Sequence, residues 1–181
     1  MKQIIYLLFT VVLFSACSPN QPGRYFSASP EIEITKSTLK HYVDGNWEAI
    51  KQHYADTAKV LNNVPKGKGI SIDAAIKDYM QDHELFSSIS YVTKEDYFEM
   101  VLTDEGETWV NYWGLWKGTL KATGEEFVIP LHVTQRFINQ KIVLEHGYWN
   151  SSAIVLALPV QPLFKALVRF TISIGPVGFQ P

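Results

Sequence analysis

Among the side chains able to do chemistry, Glu145 stands apart. It lies in Ile142-Val143-Leu144-Glu145-His146-Gly147-Tyr148-Trp149, an apolar and aromatic run with alternating strand character. A carboxylate held among such neighbours is pushed toward its protonated form, the tuning that a general acid or base requires. The competing reading pairs Glu145 with Arg136 or Lys141 at a sheet surface, and a register slip of one residue would exchange it for His146. Asp56, in Tyr54-Ala55-Asp56-Thr57, reads as a cap or turn residue after a helix. His41, His53 and His83 fall in helical stretches with polar neighbours and read as surface residues. His132 and His146 lie on consecutive strands, but two imidazoles without a placed carboxylate or thiolate do not define a metal site, and a dimer-interface role is preferred. The chain has no G-x-S-x-G, phosphate-binding loop, dinucleotide fingerprint or H-E-x-x-H. No cofactor and no metal are expected.

The sole cysteine has a different chemistry. Lys2 precedes an apolar run, Ile4 to Phe14, too short to span a bilayer and suited to a secretory signal. Leu13-Phe14-Ser15-Ala16-Cys17 then resembles the lipobox of bacterial lipoproteins, apart from Phe14 where an aliphatic residue is usual. The resemblance implies that residues 1–16 are removed and that Cys17 is acylated, leaving no thiol for a disulfide, metal or nucleophile. Residues 17–31, with Ser18-Pro19-Asn20-Gln21-Pro22-Gly23, read as a lipidated start and flexible tether. Ser18 is not the aspartate that retains a lipoprotein at the inner membrane. In a Gram-negative host, the expected location is the periplasmic side of the outer membrane.

These residues need a scaffold, and the composition allows one. With 181 residues, 46% hydrophobic and 19% charged, the chain can bury a single core. A net charge of −2 offers no basic surplus for a phosphate backbone, so nucleic acid is not an expected partner. Thr35 or Ser37 is placed to cap a first helix carrying Leu39, Tyr42 and Val43 and ending at Gly45-Asn46. Trp47, Ile50 and Tyr54 share one face of a second, and Ser71 opens a third with Ile72, Ile76, Tyr79, Met80 and Phe86 as its buried stripe. An extended tract, Ala58 to Leu61, separates the last two. Strands follow at Ser88 to Val92 and Asp96 to Thr103, and then three long ones fill Thr108 to Asn150. Helices first and antiparallel strands after them predict an α+β domain over residues 32–150.

The tract His53-Tyr54-Ala55-Asp56-Thr57-Ala58-Lys59-Val60-Leu61, the strand Trp109 to Leu120 and the ending Arg136 to Asn150 together resemble the nuclear transport factor 2-like superfamily, in particular its SnoaL-like branch. The resemblance covers roughly Ile34 to Asn150 and rests on order and spacing. It implies a cone, a curved antiparallel sheet wrapped around three N-terminal helices, with a pocket at the open end and a convex face that often forms a homodimer. Ketosteroid isomerase belongs to the superfamily, and its three catalytic positions fall here at Asn62, Thr38 and Val133. None carries the required acid, base or phenol, so isomerase chemistry of that kind is not expected.

The implied register turns Phe127, Ile129, Leu131, Val133, Gln135 and Phe137 inward, together with Val143, Glu145, Gly147 and Trp149. It sends His132, Thr134, Arg136 and His146 to the convex face. The expected pocket residues are therefore Tyr54, Asn62, Trp116, Val133, Gln135 and Trp149 around Glu145. The expected function is binding of a small, largely apolar molecule by a membrane-tethered domain; an isomerase, cyclase or dehydratase using Glu145 is the alternative. Residues 151–181 form an apolar C-terminal extension in which Pro162 to Pro176 suggests a helix with Lys165 and Arg169 on one edge. That segment would close the pocket, extend a dimer interface or meet anionic lipid.

Overall fold

A computed structural model describes residues 23–158. Cys17, the leader and the predicted helix between Pro162 and Pro176 lie outside the described residues. Strand β1 (Tyr25–Phe26) leads to helix α1 (Pro30–Asp44) and helix α2 (Trp47–Gln52). Strand β2 (Tyr54–Asn62), helix α3 (Ile72–Leu85) and strands β3 (Phe86–Tyr91) and β4 (Tyr97–Leu102) follow. The long strands β5 (Thr108–Leu120), β6 (Glu126–Ile138) and β7 (Lys141–Trp149) complete the sheet, and a short helix α4 (Ser152–Ala157) closes the described chain.

Helix α1 begins at Pro30, five residues before the cap expected at Thr35. Ser29 takes the N-cap and accepts a hydrogen bond from the Ile32 N–H, while Pro30 occupies a first-turn position where its missing N–H costs nothing. Gly45, at φ 68°, ends it as the left-handed C-cap. Part of the expected tether is thus structured: Tyr25 and Phe26 pair with Val101 and Met100 at the sheet edge. Helix α2 stops at Gln52, so Tyr54 opens a strand instead of closing a helix. Ser71 caps α3 as expected, by accepting from the Ala74 N–H. Ile72, Ala75 and Ile76 are its buried residues, whereas Met80 is 45% exposed and leaves the predicted stripe.

The sheet order is β1-β4-β5-β6-β7-β2, with β3 pairing β5 beyond the end of β4. Strand β5 is long enough to serve two neighbours in turn: Tyr97 lies opposite Trp113, and Tyr91 opposite Trp116. The sheet is curved and mixed, since β2 runs parallel to β7, with Asn62 opposite Gly147. Only a crossover through α3 and the intervening strands brings β2 and β7 side by side, and such non-local pairing leaves no mark on local alternation. Two apolar clusters fill the concave side. One joins Ile32, Tyr42, Ile50, Tyr54, Val110, Phe137 and Ile142, and the other joins Phe86, Leu120, Phe127 and Ile129 beneath Ile154 and Leu158 of the last turn; Trp116 packs against both.

Candidate functional site

A cavity of about 220 Å³ opens where the two clusters meet. The three helices, β2 and the inner face of the sheet all contribute to its wall. Tyr54, Asn62, Trp116, Val133, Gln135, Glu145 and Trp149, the residues selected from the sequence, all line it. Alternation along β6 explains this placement: Phe127, Ile129, Val133, Gln135 and Phe137 are buried, and their two-residue period aims them at the helices. On β7 the expected phase holds at Glu145 and Gly147 but fails at Val143. A bulge between Arg136 and Phe137 pairs Phe137 with Ile142, so Ile142 takes the buried place and Val143 is only half-buried.

Glu145 is 5% exposed and is held from three sides. Tyr54 Oη donates to its Oε2 at 2.5 Å, Gln135 Nε2 donates to the same oxygen at 2.6 Å, and Tyr79 Oη reaches Oε1 at 3.4 Å. Gln135 is itself oriented by Thr35, whose hydroxyl donates to Oε1 at 2.7 Å. Thr35 is 1% exposed in the middle of α1, so a residue expected as a cap is instead an anchor for the site. Asn62 Nδ2 donates to Tyr79 Oη at 3.4 Å, which links β2, α3 and β7 through side chains. The Asn62 Oδ1 is buried without a partner among the described residues, pressed against Gly147. The surface alternative for Glu145 does not occur: Arg136 pairs with Glu107 at 2.5 Å, and Lys141 reaches the Gln52 carbonyl.

A second polar group lies in the same cavity. Tyr42 Oη donates to Asp82 Oδ2 at 3.0 Å and accepts from Trp116 Nε1 at 3.3 Å. Burial pushes the Asp82 carboxyl above the ordinary carboxylate value, with the Tyr42 bond and His83 opposing the shift. Burial likewise pushes the Tyr42, Tyr54, Tyr79 and Tyr91 hydroxyls well above the usual phenol value; next comes the charge of Asp82 for Tyr42 and of Glu145 for the other three. Neutral phenols are hydrogen-bond donors, and here two of them point at one carboxylate. Asp82, Tyr91 and the site role of Tyr79 are not among the features expected from the sequence. One signal is present: Ile76, Tyr79 and Asp82 follow each other at three-residue spacing, which carries a half-buried carboxylate onto the inward side of α3.

Two glycines make room for the rings. A Cβ on Gly118 would overlap the Trp116 indole, and one on Gly147 would lie 2.5 Å from both Asn62 Oδ1 and the Trp149 ring. Thr38 and Val133, two of the isomerase-equivalent positions, line the cavity beside Asn62, the third. Outside, His132 stacks on Trp113 at 4.6 Å between centroids, and Tyr148 separates it from His146. Among the described residues, no group of three or more His, Cys, Asp or Glu is arranged to hold a metal. His41 and His53 are not surface residues but stack on each other half-buried, and His83 bonds the Tyr42 carbonyl at 2.8 Å. Asp56 is exposed on β2 and caps no helix.

No family model and no curated protein sequence matches the chain. Solved structures do. An NTF2-like protein from Burkholderia pseudomallei shares 12% identity at a TM-score of 0.57, covering 74% of this chain and 100% of its own. A protein provisionally described as a SnoaL-like polyketide cyclase from Shewanella denitrificans shares 14% identity at 0.56, with the same coverage. A protein with a ketosteroid isomerase-like fold from Catenulispora acidiphila, solved in complex with trimethylamine, shares 13% at 0.54, covering 68% of this chain and 90% of its own. The chain has the nuclear transport factor 2-like fold. At these identities the likeness establishes architecture and leaves the chemistry to the side chains.

Proposed function

We propose that this chain is a SnoaL-like binding domain, exported and tethered by lipid on Cys17, which holds a compact, largely apolar molecule against Glu145. The observation that carries the reading is the cavity itself: about 220 Å³, walled mainly by aromatic and aliphatic side chains, with its polar groups confined to a few fixed positions. The absence of the base, the acid and the phenol at Asn62, Val133 and Thr38 respectively supports binding over isomerase chemistry. Binding of adamantan-1-ol, a compact neutral probe, is expected to change the emission of Trp116 and Trp149. Leu131→Trp, which fills the cavity from β6, should abolish that response, and Tyr148→Ala on the convex face should retain it. A response that survives Leu131→Trp would place the ligand elsewhere.

A second reading is supported by one arrangement. Glu145 faces two tyrosine hydroxyls, a carboxylate beside proton donors of the kind that serves enolisation, cyclisation or dehydration. Under it, Glu145→Gln abolishes turnover of any substrate converted by the parent chain; turnover retained in that variant rejects Glu145 as acid or base. For the anchor, the leader Met1 to Ala16 and Cys17 are the support. Cys17→Ala should release the protein from membranes, and continued association would point to the C-terminal extension.

A further inference from the structure

We infer that the molecule held in this cavity is an organic cation, an amine or ammonium group on an apolar body. The inference rests on the small-molecule-binding reading and names the class of ligand. Its ground is the imbalance of the wall. Among the described residues, the lining includes two acids, Asp82 and Glu145, and no lysine, arginine or histidine. Ion pairs are common elsewhere in the fold: Arg136 with Glu107, Lys51 with Asp73 and Lys117 with Glu126 among them. Among the described residues, neither cavity acid is in a salt bridge. Every hydrogen bond that reaches them comes from an uncharged donor: Tyr54, Gln135 and Tyr79 for Glu145, and Tyr42 for Asp82. His83, the neighbour of Asp82 in the chain, is near enough to oppose the shift of its carboxyl but stays out of the lining, with its Nε2 on the Tyr42 carbonyl and its ring edge-on to Trp47.

Buried carboxylates normally have a cation or lose their charge, because an isolated ion in an apolar surround is costly. Here, among the described residues, the wall supplies donors but no cation, and buried Glu145 and half-buried Asp82 line the same cavity. Acceptor capacity is left over. Glu145 Oε1 receives only the long bond from Tyr79, and Asp82 Oδ1 receives none from the described residues. An ammonium group is all donors and matches that surplus, whereas an anion would meet two like charges and an alcohol would satisfy one acceptor only. The rest of the wall is also suited to a cation. Tyr42, Tyr79, Tyr91, Trp116 and Trp149 present π systems that attract positive charge, most strongly where water is excluded. The burial and charge that hold the Tyr91 hydroxyl neutral include contributions from both acids, so the two act on one shared volume.

The test compares adamantan-1-amine, protonated at neutral pH, with adamantan-1-ol, which has the same cage and a hydroxyl in place of the ammonium. Both are titrated into the full chain and followed by tryptophan emission and by calorimetry. The amine is expected to bind at least about tenfold more tightly than the alcohol, the size of a desolvated cation–π and charge contact. Glu145→Gln and Asp82→Asn should each shrink that ratio, and their combination should remove it. Equal binding, or tighter binding of the alcohol, overturns the cation inference while the cavity-binding reading stands. Failure of both probes to bind overturns the reading and the inference together. The comparison within the parent chain needs no variant to fold, so it decides the matter even if a substitution destabilises the domain.

Discussion

Replacing Tyr54 by Phe removes one oxygen and leaves the ring, so it isolates the bond that Glu145 is built around. Tyr54 is 6% exposed, and its hydroxyl lies 2.5 Å from Glu145 Oε2. Water has little access to take its place, and among the described residues Gln135 remains as the only other donor to that oxygen. A buried hydrogen bond to a carboxylate contributes about 1.5–3 kcal/mol. With a urea dependence of about 1–3 kcal/mol per molar for a domain of this size, the midpoint should fall by about 1 M. The bond itself, as opposed to general disturbance, is read from a double-mutant cycle with Glu145→Gln. If Tyr54 acts through Glu145, the double variant should lose less than the sum of the singles by about 1 kcal/mol. Urea unfolding followed by far-ultraviolet circular dichroism gives all four values. A Tyr54→Phe midpoint indistinguishable from the parent, or strict additivity in the cycle, would refute the claim that this contact organises the site.

Two further outcomes follow from the same geometry. Gly147→Ala places a methyl group 2.5 Å from Asn62 Oδ1 and the Trp149 ring, so it should cost about 1–3 kcal/mol and shift tryptophan emission; unchanged stability and spectrum would mean that neither side chain packs there. Asp82 has a folded-state value raised above its ordinary 3.8, chiefly by burial, so the unfolded chain ionises first and stability is lost as pH rises from about 3.8 through the higher folded value. Asp82→Asn, which keeps an acceptor for Tyr42, should therefore gain on the parent across that window and hold the gain above it; a constant difference in unfolding free energy from pH 3 to 7 would contradict the burial of this carboxyl.

The legible part of the site was the part written in short-range alternation. Along β6, Phe127, Ile129, Val133, Gln135 and Phe137 could be assigned to one face because a strand leaves no other choice once two residues are placed. The same rule carried Glu145 inward on β7 but misplaced Val143, because a bulge adds one residue without altering the composition of the strand. The start of α1 differs from its expected place for a related reason. Thr35 resembles a cap in type, yet Ser29 and Pro30 make a better first turn, and Thr35 is free to face Gln135 on a strand a hundred residues away.

The linear order of residues by itself determined the α+β class, the helices preceding the long strands, the positions of turns and caps near Gly45 and Ser71, and the inward phase of β6. Each is a local consequence of backbone preference and of apolar spacing. The tertiary structure alone decided that β2 runs parallel to β7 and that Tyr79 and Tyr54 converge on one carboxylate. It also put Asp82 in the same cavity as Glu145, with no basic side chain in the wall among the described residues. Those facts depend on contacts between residues far apart in the chain, which form only when sheet curvature and the docking of α1 and α3 bring their faces together. A carboxylate's partners are set by that convergence and not by its neighbours in sequence.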